Sequence, residues 1–328
     1  MNIGWISLTR VLAIVFVVML HSAAFYYNNF NAANYGWLVG NAGNALSRWA
    51  VPVFVMISGA LLLGNNKTSD YKVFYKKRFV KILIPLLVWS VFYTLIWFYQ
   101  NPETATLTEG LQNIISGHPY YHMWFLYMIL GLYAFTPIFN KIISIIDKKE
   151  ALYVIIGLFI LSSISITQKY LTNSSEPLWV YWFIQFIPYY FSGYYLSKTP
   201  INIDLRVSLG FSLICALSIF IASYYMSITY DKTQYFYEPL SPLVIFMSLS
   251  VFVSLMKWES VFSNSLANLS LGVYLIHPFF LLAFFKIFKS FALSQPLIGF
   301  ISSWILCTIM SFALIYILKK IPFVRSCA

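Results

Sequence analysis

The sequence predicts an all-α polytopic membrane protein of about ten transmembrane helices, N-in and C-in. Three observations predict it. Of the 328 residues, 60% are hydrophobic and only 9% charged, against about 25% charge in a soluble domain, and the mean hydropathy is +0.76. Apolar stretches of roughly 20 residues, the length that crosses a hydrocarbon core, recur from end to end. The Lys and Arg residues fall in alternate connecting segments.

Taken in order, the predicted spans cover residues 5–27, 47–64, 79–99, 121–139, 151–167, 179–196, 207–229, 239–256, 266–285 and 296–318. The first is not a signal peptide. Its apolar core runs on through Phe25, Tyr26 and Tyr27, and the residues before it are nearly uncharged. The fifth is the least regular, because its end is rich in Ser and Thr. With the N-terminus inside, the inner segments hold Lys67, Lys72, Lys76, Lys77, Arg78, Lys81, Lys141, Lys148, Lys149, Lys198, Arg206, Lys257, Lys319, Lys320 and Arg325. The outer ones hold Arg48, Lys169, Lys232, Lys286 and Lys289. That bias sets the orientation, and an even helix count agrees. Tyr and Trp cluster at span ends, as an interfacial belt does. The chain reads as one transmembrane domain, 1–328, with no attached soluble domain.

The net charge of +11 follows the membrane, so nucleic acid is not expected as a partner; membrane lipids are. Cys215, Cys307 and Cys327 are scattered, show no metal spacing and read as packing residues. Gly36 and Gly40 match a GxxxG pattern but fall in a predicted outer loop, where the pattern carries little weight.

The first span holds Arg10 and His21. A charged side chain at bilayer depth costs about 2.5–3.5 kcal/mol on insertion scales, so it usually has a partner or a task. Eleven residues of helix return His21 to within about 20° of Arg10 and about 16 Å along the axis. One polar face with a cation near one end and an imidazole near the other suggests a wet path through the bundle. The plainer reading is that both tether the helix, or that Arg10 snorkels to the interface. The ten acidic residues all lie in loops or at span ends. That argues against an ion-coupled transporter, which usually needs a buried carboxylate. Histidine is then the acid/base candidate, since its unperturbed pKa is near 6.5. Arg78 and Lys81, three apart at the start of the third span, share a face and could grip one anion, with Lys77 beside them. The positive-inside rule accounts for the same charges without function. No metal is expected: His118 and His122 are four apart but lack a third ligand.

Five ordered motifs resemble the acyltransferase-3 family of integral membrane acyltransferases. Arg10 and His21 are similar to its R-x10-H motif. Pro52 to Gly59 resembles its second-span stretch, and Lys77-Arg78-Phe-Val-Lys81 its RxxR motif. His122-Met-Trp124 and Ser270-Leu-Gly-Val-Tyr274-Leu-Ile-His277-Pro278 resemble later signatures. Lys81 replaces the second arginine of RxxR, and the fourth span lacks the glutamate that many relatives place after the Trp. The chain is most similar to stand-alone sugar O-acetyltransferases of the enterobacterial common antigen type.

The resemblance implies a bacterial inner-membrane, multi-pass O-acetyltransferase that moves an acetyl group from cytoplasmic acetyl-CoA to a hydroxyl of a lipid-linked or surface glycan. It implies Arg10, Lys77, Arg78 and Lys81 on the CoA, and His21 as general base or transient acyl carrier. It implies His122, Trp124, Ser270, Tyr274 and His277 at the acceptor. Trp124 reads equally well as an interfacial anchor. The alternative function is a transporter or flippase for a lipid-linked glycan. The charge bias places Lys76 inside and Glu109 outside. Cysteines substituted there should label with an impermeant reagent in intact cells at 109 and not at 76; labelling at 76 would reverse the orientation.

Overall fold

The computed structural model describes residues 4–32, 34–64, 70–172, 179–199, 201–230, 234–258 and 264–321. Thirteen helices and no strand occur among them. The predicted all-α polytopic class holds. Nine helical segments are long and apolar enough to cross a membrane.

The first is α1 (Gly4–Asn29). The second is broken into α2 (Tyr35–Ser47) and α3 (Ala50–Leu62). Pro52 causes the break: it has no N–H to give the Arg48 carbonyl four residues back, and its ring crowds that oxygen. The prediction began this span twelve residues late, at 47. The glycines of the expected loop, Gly36 and Gly40, are helical. Arg48, expected outside, lies at the break within the bundle. The third crossing, α4 (Tyr71–Gln100), starts eight residues before its predicted start, where Asp70 caps it by accepting from the Val73 N–H at 3.1 Å. The basic run from Lys72 to Lys81 is therefore helix.

The expected outer loop holds α5 (Leu107–Ile115), begun by a Thr106–Glu109 capping box. It exposes Leu107, Leu111 and Ile115 along one face, the spacing of an interfacial helix. Next come α6 (Trp124–Ile145), α7 (Lys148–Thr172), α8 (Trp182–Lys198), α9 (Leu205–Tyr230) and α10 (Pro242–Met256). The short α11 (Asn264–Ala267) precedes α12 (Ser270–Ser294) and α13 (Pro296–Leu318). Lys286 and Lys289 belong to the last turns of α12, whose predicted end was Phe285. Lys67, Glu176, Asp231, Lys232, Glu259, Arg325 and Cys327 lie outside the described residues. Cys215 and Cys307 are buried and free.

The sixth predicted crossing is α8, which at 17 residues, with a 3-10 turn (Trp179–Tyr181) before it, falls outside those nine. Its neighbour α3 comes unusually close. A Cβ on Gly59 would lie 1.8 Å from the Tyr190 carbonyl oxygen, and one on Gly193 would lie 1.9 Å from that of Met56. Two glycines facing two backbones let helices meet where the hydrophobic effect gives no drive. The two chain ends meet as well. Ser7 Oγ donates to Asn264 Oδ1 at 2.6 Å, and Lys319 Nζ donates to the Asn268 carbonyl. The start of α1 and the end of α13 thus flank the same short segment, as an even number of crossings requires.

α1 is the hub, packed against α2, α3, α10, α12 and α13. The outer surfaces of α4, α7, α9 and α13 carry exposed Leu87, Val91, Ile160, Leu213 and Ile309, as lipid-facing helices do. Gly193→Ala should lower stability in detergent by about 1–3 kcal/mol through overpacking. Gly157→Ala, with open space where its Cβ would go, should be neutral or slightly stabilising. Thermal unfolding of the two variants checks this, and equal midpoints would refute the close-packing account.

Candidate active site

A cavity of about 1110 Å³ opens at the end of the bundle where the termini meet. Six cations line it: Arg10 from α1, Lys76, Lys77 and Lys81 from α4, and Lys319 and Lys320 beyond α13. The α4 contribution is a helical stripe, Val73, Lys76, Lys77, Val80 and Lys81, spaced i, i+3, i+4, i+7 and i+8. This register decides which cations face the cavity. Lys77 and Lys81, four apart, share the stripe. Arg78, about 100° from Lys77, is not among the lining residues, although it stands within electrostatic range of Arg10 and Lys81. Of the three expected anion-binding residues, Lys77 and Lys81 line the cavity and Arg78 does not.

Deeper in, the wall turns apolar with Val17, Phe54, Phe125, Leu126 and Ile129, interrupted by Ser58, Ser270 and Tyr274. Ser270 Oγ is buried with no hydrogen-bond partner. Tyr274 is the septum between this cavity and the next feature. Its ring lines the cavity, stands 5.5 Å from Phe125, and reaches 5.1 Å from His122 and 6.1 Å from His277 on its other side. Its hydroxyl donates to the His122 carbonyl.

Beyond Tyr274, three histidines from distant parts of the chain come together. His21 of α1 stacks on His277 of α12 with centroids 5.2 Å apart and planes 27° apart. His122, from the turn before α6, meets His277 edge-on at 5.5 Å. Tyr121 packs on His21 at 4.9 Å and Tyr93 on His122 at 5.1 Å. His122 and His277 are almost wholly buried, at 1% and 0% exposure. Neither ring nitrogen of His122 has a hydrogen-bond partner, nor does His277 Nε2. His277 Nδ1 faces the Val273 carbonyl at 3.2 Å. If Nδ1 carries the proton, that contact leaves Nε2 as the acceptor. Among the described residues no three His, Cys, Asp or Glu side chains are arranged to hold a metal ion.

The sequence separated a base, His21, from acceptor residues His122 and His277, and the structure joins the three in one cluster. It places Ser270 and Tyr274 on the wall of the basic cavity. Trp124 joins neither group: its ring packs against Trp182 and Phe186 of α8, at 6.4 and 5.7 Å. Phe125, one residue on, is turned to the cavity instead. His118 packs on Trp182 at 4.9 Å. The segment from 116 to 123 is not α-helical, so the four-residue spacing does not bring His118 to His122. Sequence reasoning passed over Phe125 and Tyr93, and read Tyr121 as part of the interfacial belt. It also passed over Lys76, Lys319 and Lys320, which looked like topology signals.

The family model described as an acyltransferase domain, acyltransferase 3, matches residues 3–320. No curated protein and no solved structure matches the chain. The match covers both the basic cavity and the histidine cluster, and the chain belongs to the acyltransferase-3 family of membrane acyltransferases.

Proposed function

We propose that this acyltransferase takes an acetyl group from cytoplasmic acetyl-CoA and passes it to a hydroxyl of a lipid-linked or surface glycan, in a bacterial inner membrane. The observation that carries the reading is the alignment of a six-cation cavity, an aromatic septum and three clustered imidazoles along one path.

The cavity suits CoA in charge and size. Its cations stand at the mouth, where phosphates would make charge-assisted hydrogen bonds. Its volume is that of a cofactor pocket, and its narrowing apolar end suits a pantetheine arm. In this reading Lys77, Lys81, Lys319 and Lys320 hold the phosphates and Arg10 guides the arm inward. Ser58 and Ser270 offer hydroxyls along the way. The thioester reaches Tyr274, with the imidazoles behind it.

His21 then acts as general base. Its ring nitrogen takes the proton of the acceptor hydroxyl as the oxygen attacks the thioester carbonyl. The tetrahedral adduct collapses with cleavage of the carbon–sulfur bond. CoA leaves as the thiolate and takes back a proton, and the acyl ester remains on the acceptor. His277, stacked on His21, fixes its ring. His122, edge-on to His277, orients the acceptor hydroxyl. The buried ring of Tyr93, packed on His122, keeps water from competing as acceptor on that side. Transport of a lipid-linked glycan is the less favoured reading, since it leaves both the cavity's cations and the family membership without a role.

Kinetics on membranes carrying defined variants test the proposal. His21→Gln keeps hydrogen bonding but not basicity, and should lose about 10²–10⁴-fold in rate with expression intact. Lys77→Ala with Lys81→Ala should raise the acetyl-CoA KM by about tenfold or more, more than Arg78→Ala does. Near-full acetylation by His21→Gln, or an unchanged KM in the lysine variant, would overturn the assigned roles.

A further inference from the structure

Arg48 lies on the side of the histidines away from the basic cavity. α1 and α2 are antiparallel, and two glycines fix their register. A Cβ on Gly40 would lie 2.5 Å from the Tyr27 amide nitrogen, and one on Gly43 would lie 2.8 Å from the Ala23 Cβ. Arg48 follows Gly43 by five residues, so its backbone is level with the part of α1 just below His21. Its side chain leans back toward the start of α2, as helical side chains do. The guanidinium donates to Asn44 Oδ1 at 2.5 Å and lies 4.6 Å from the centre of the Tyr237 ring. Tyr237 packs edge-on at 5.4 Å against Tyr27, six residues further along α1 than His21. The guanidinium therefore stands between the histidines and the opposite end of the bundle, within electrostatic range of His21.

Among the described residues Glu238 is the carboxylate within electrostatic range of Arg48, and its own hydrogen bond and ion pair lie elsewhere. Tyr170 donates to it at 2.9 Å, and Lys169 stands 3.8 Å away. The Tyr237 hydroxyl donates to Asn41 Oδ1 at 2.5 Å. Arg48 Nε is buried with no hydrogen-bond partner, while the residue as a whole keeps some exposure. A guanidinium at bilayer depth normally faces an anion or a watery path, and its fork matches carboxylate and phosphate oxygens.

We propose that Arg48 is the anchor for an anionic group of the acceptor, a carboxylate or a phosphate, held across the histidines from the acyl donor. The proposal rests on the acyl-transfer reading above and narrows its acceptor to an acidic one. Two sources share that chemistry: an acidic sugar near the acylated hydroxyl, and the phosphate of a lipid carrier.

The test uses the full chain in membrane vesicles with radiolabelled acetyl-CoA. The acceptor is unacetylated glycan from a strain lacking this gene, supplied lipid-linked, released and dephosphorylated, and released with its carboxylates methyl-esterified. Arg48→Gln should raise the acceptor KM about tenfold or more while the acetyl-CoA KM stays within about twofold. Arg48→Lys should recover part of the loss. Use of the lipid-linked form alone assigns the phosphate. Use of the released form, lost on esterification, assigns the carboxylate. Equal use of the neutral glycan overturns the proposal, as does a fall in kcat with the acceptor KM unchanged. The glycan comparison needs no variant, so a misfolded Arg48→Gln does not block the decision. If the wild-type chain transfers acetyl to none of the forms while acetyl-CoA is intact, the acyl-transfer reading itself fails, a result separate from equal use of all three.

Discussion

The cost of a polar side chain in hydrocarbon is the constraint on which this structure depends. Arg10 and His21 share one face of α1, and that face cannot meet lipid. It has to point inward, which makes α1 the hub and gathers α2, α3, α10, α12 and α13 around it. The same constraint acts on His122 and His277. Each reaches a protein interior only where other helices supply walls, and one interior serves all three imidazoles. The gathering of these helices follows from a few polar residues on otherwise apolar spans.

Close approach then shapes the bundle. Where lipid tails are as apolar as leucine, helices associate by packing. The Gly59–Gly193 contact brings α3 and α8 backbone to backbone, and Gly40 seats α2 on α1. Pro52 breaks the second crossing at Arg48, which frees a carbonyl and sets a cation at the bend. Packing and chemistry meet at Tyr274. It lines the cavity on one side and supports His122 on the other.

Much of this was legible in the sequence. Span length, charge bias and the Arg10–His21 spacing depend on local periodicity, and local periodicity survives in the fold. What the sequence could not show was register between distant segments. Arg78 looked better placed than Lys77, but the stripe that faces the cavity is fixed by how α4 leans on α6. Trp124 looked like a sugar platform, but α8 takes it and leaves Phe125 at the wall. Arg48 looked like a loop cation, because the helix before Pro52 has glycines and asparagines at Gly36, Gly40, Asn41, Gly43 and Asn44. Those residues lower helix propensity, yet they are the small and polar groups that let α2 pack on α1. Lys319 and Lys320 joined the site only when the chain's two ends met.

The account's central claim is a path with the donor on the basic side and the histidines between donor and acceptor. Membrane vesicles of the two orientations, given acetyl-CoA in the outer medium only, test it most directly. The account predicts that sealed inside-out vesicles, which expose Lys77 and Lys81 to the medium, consume the thioester and acetylate their glycan, and that right-side-out vesicles do so only after permeabilisation. Equal consumption by intact vesicles of both orientations would contradict it.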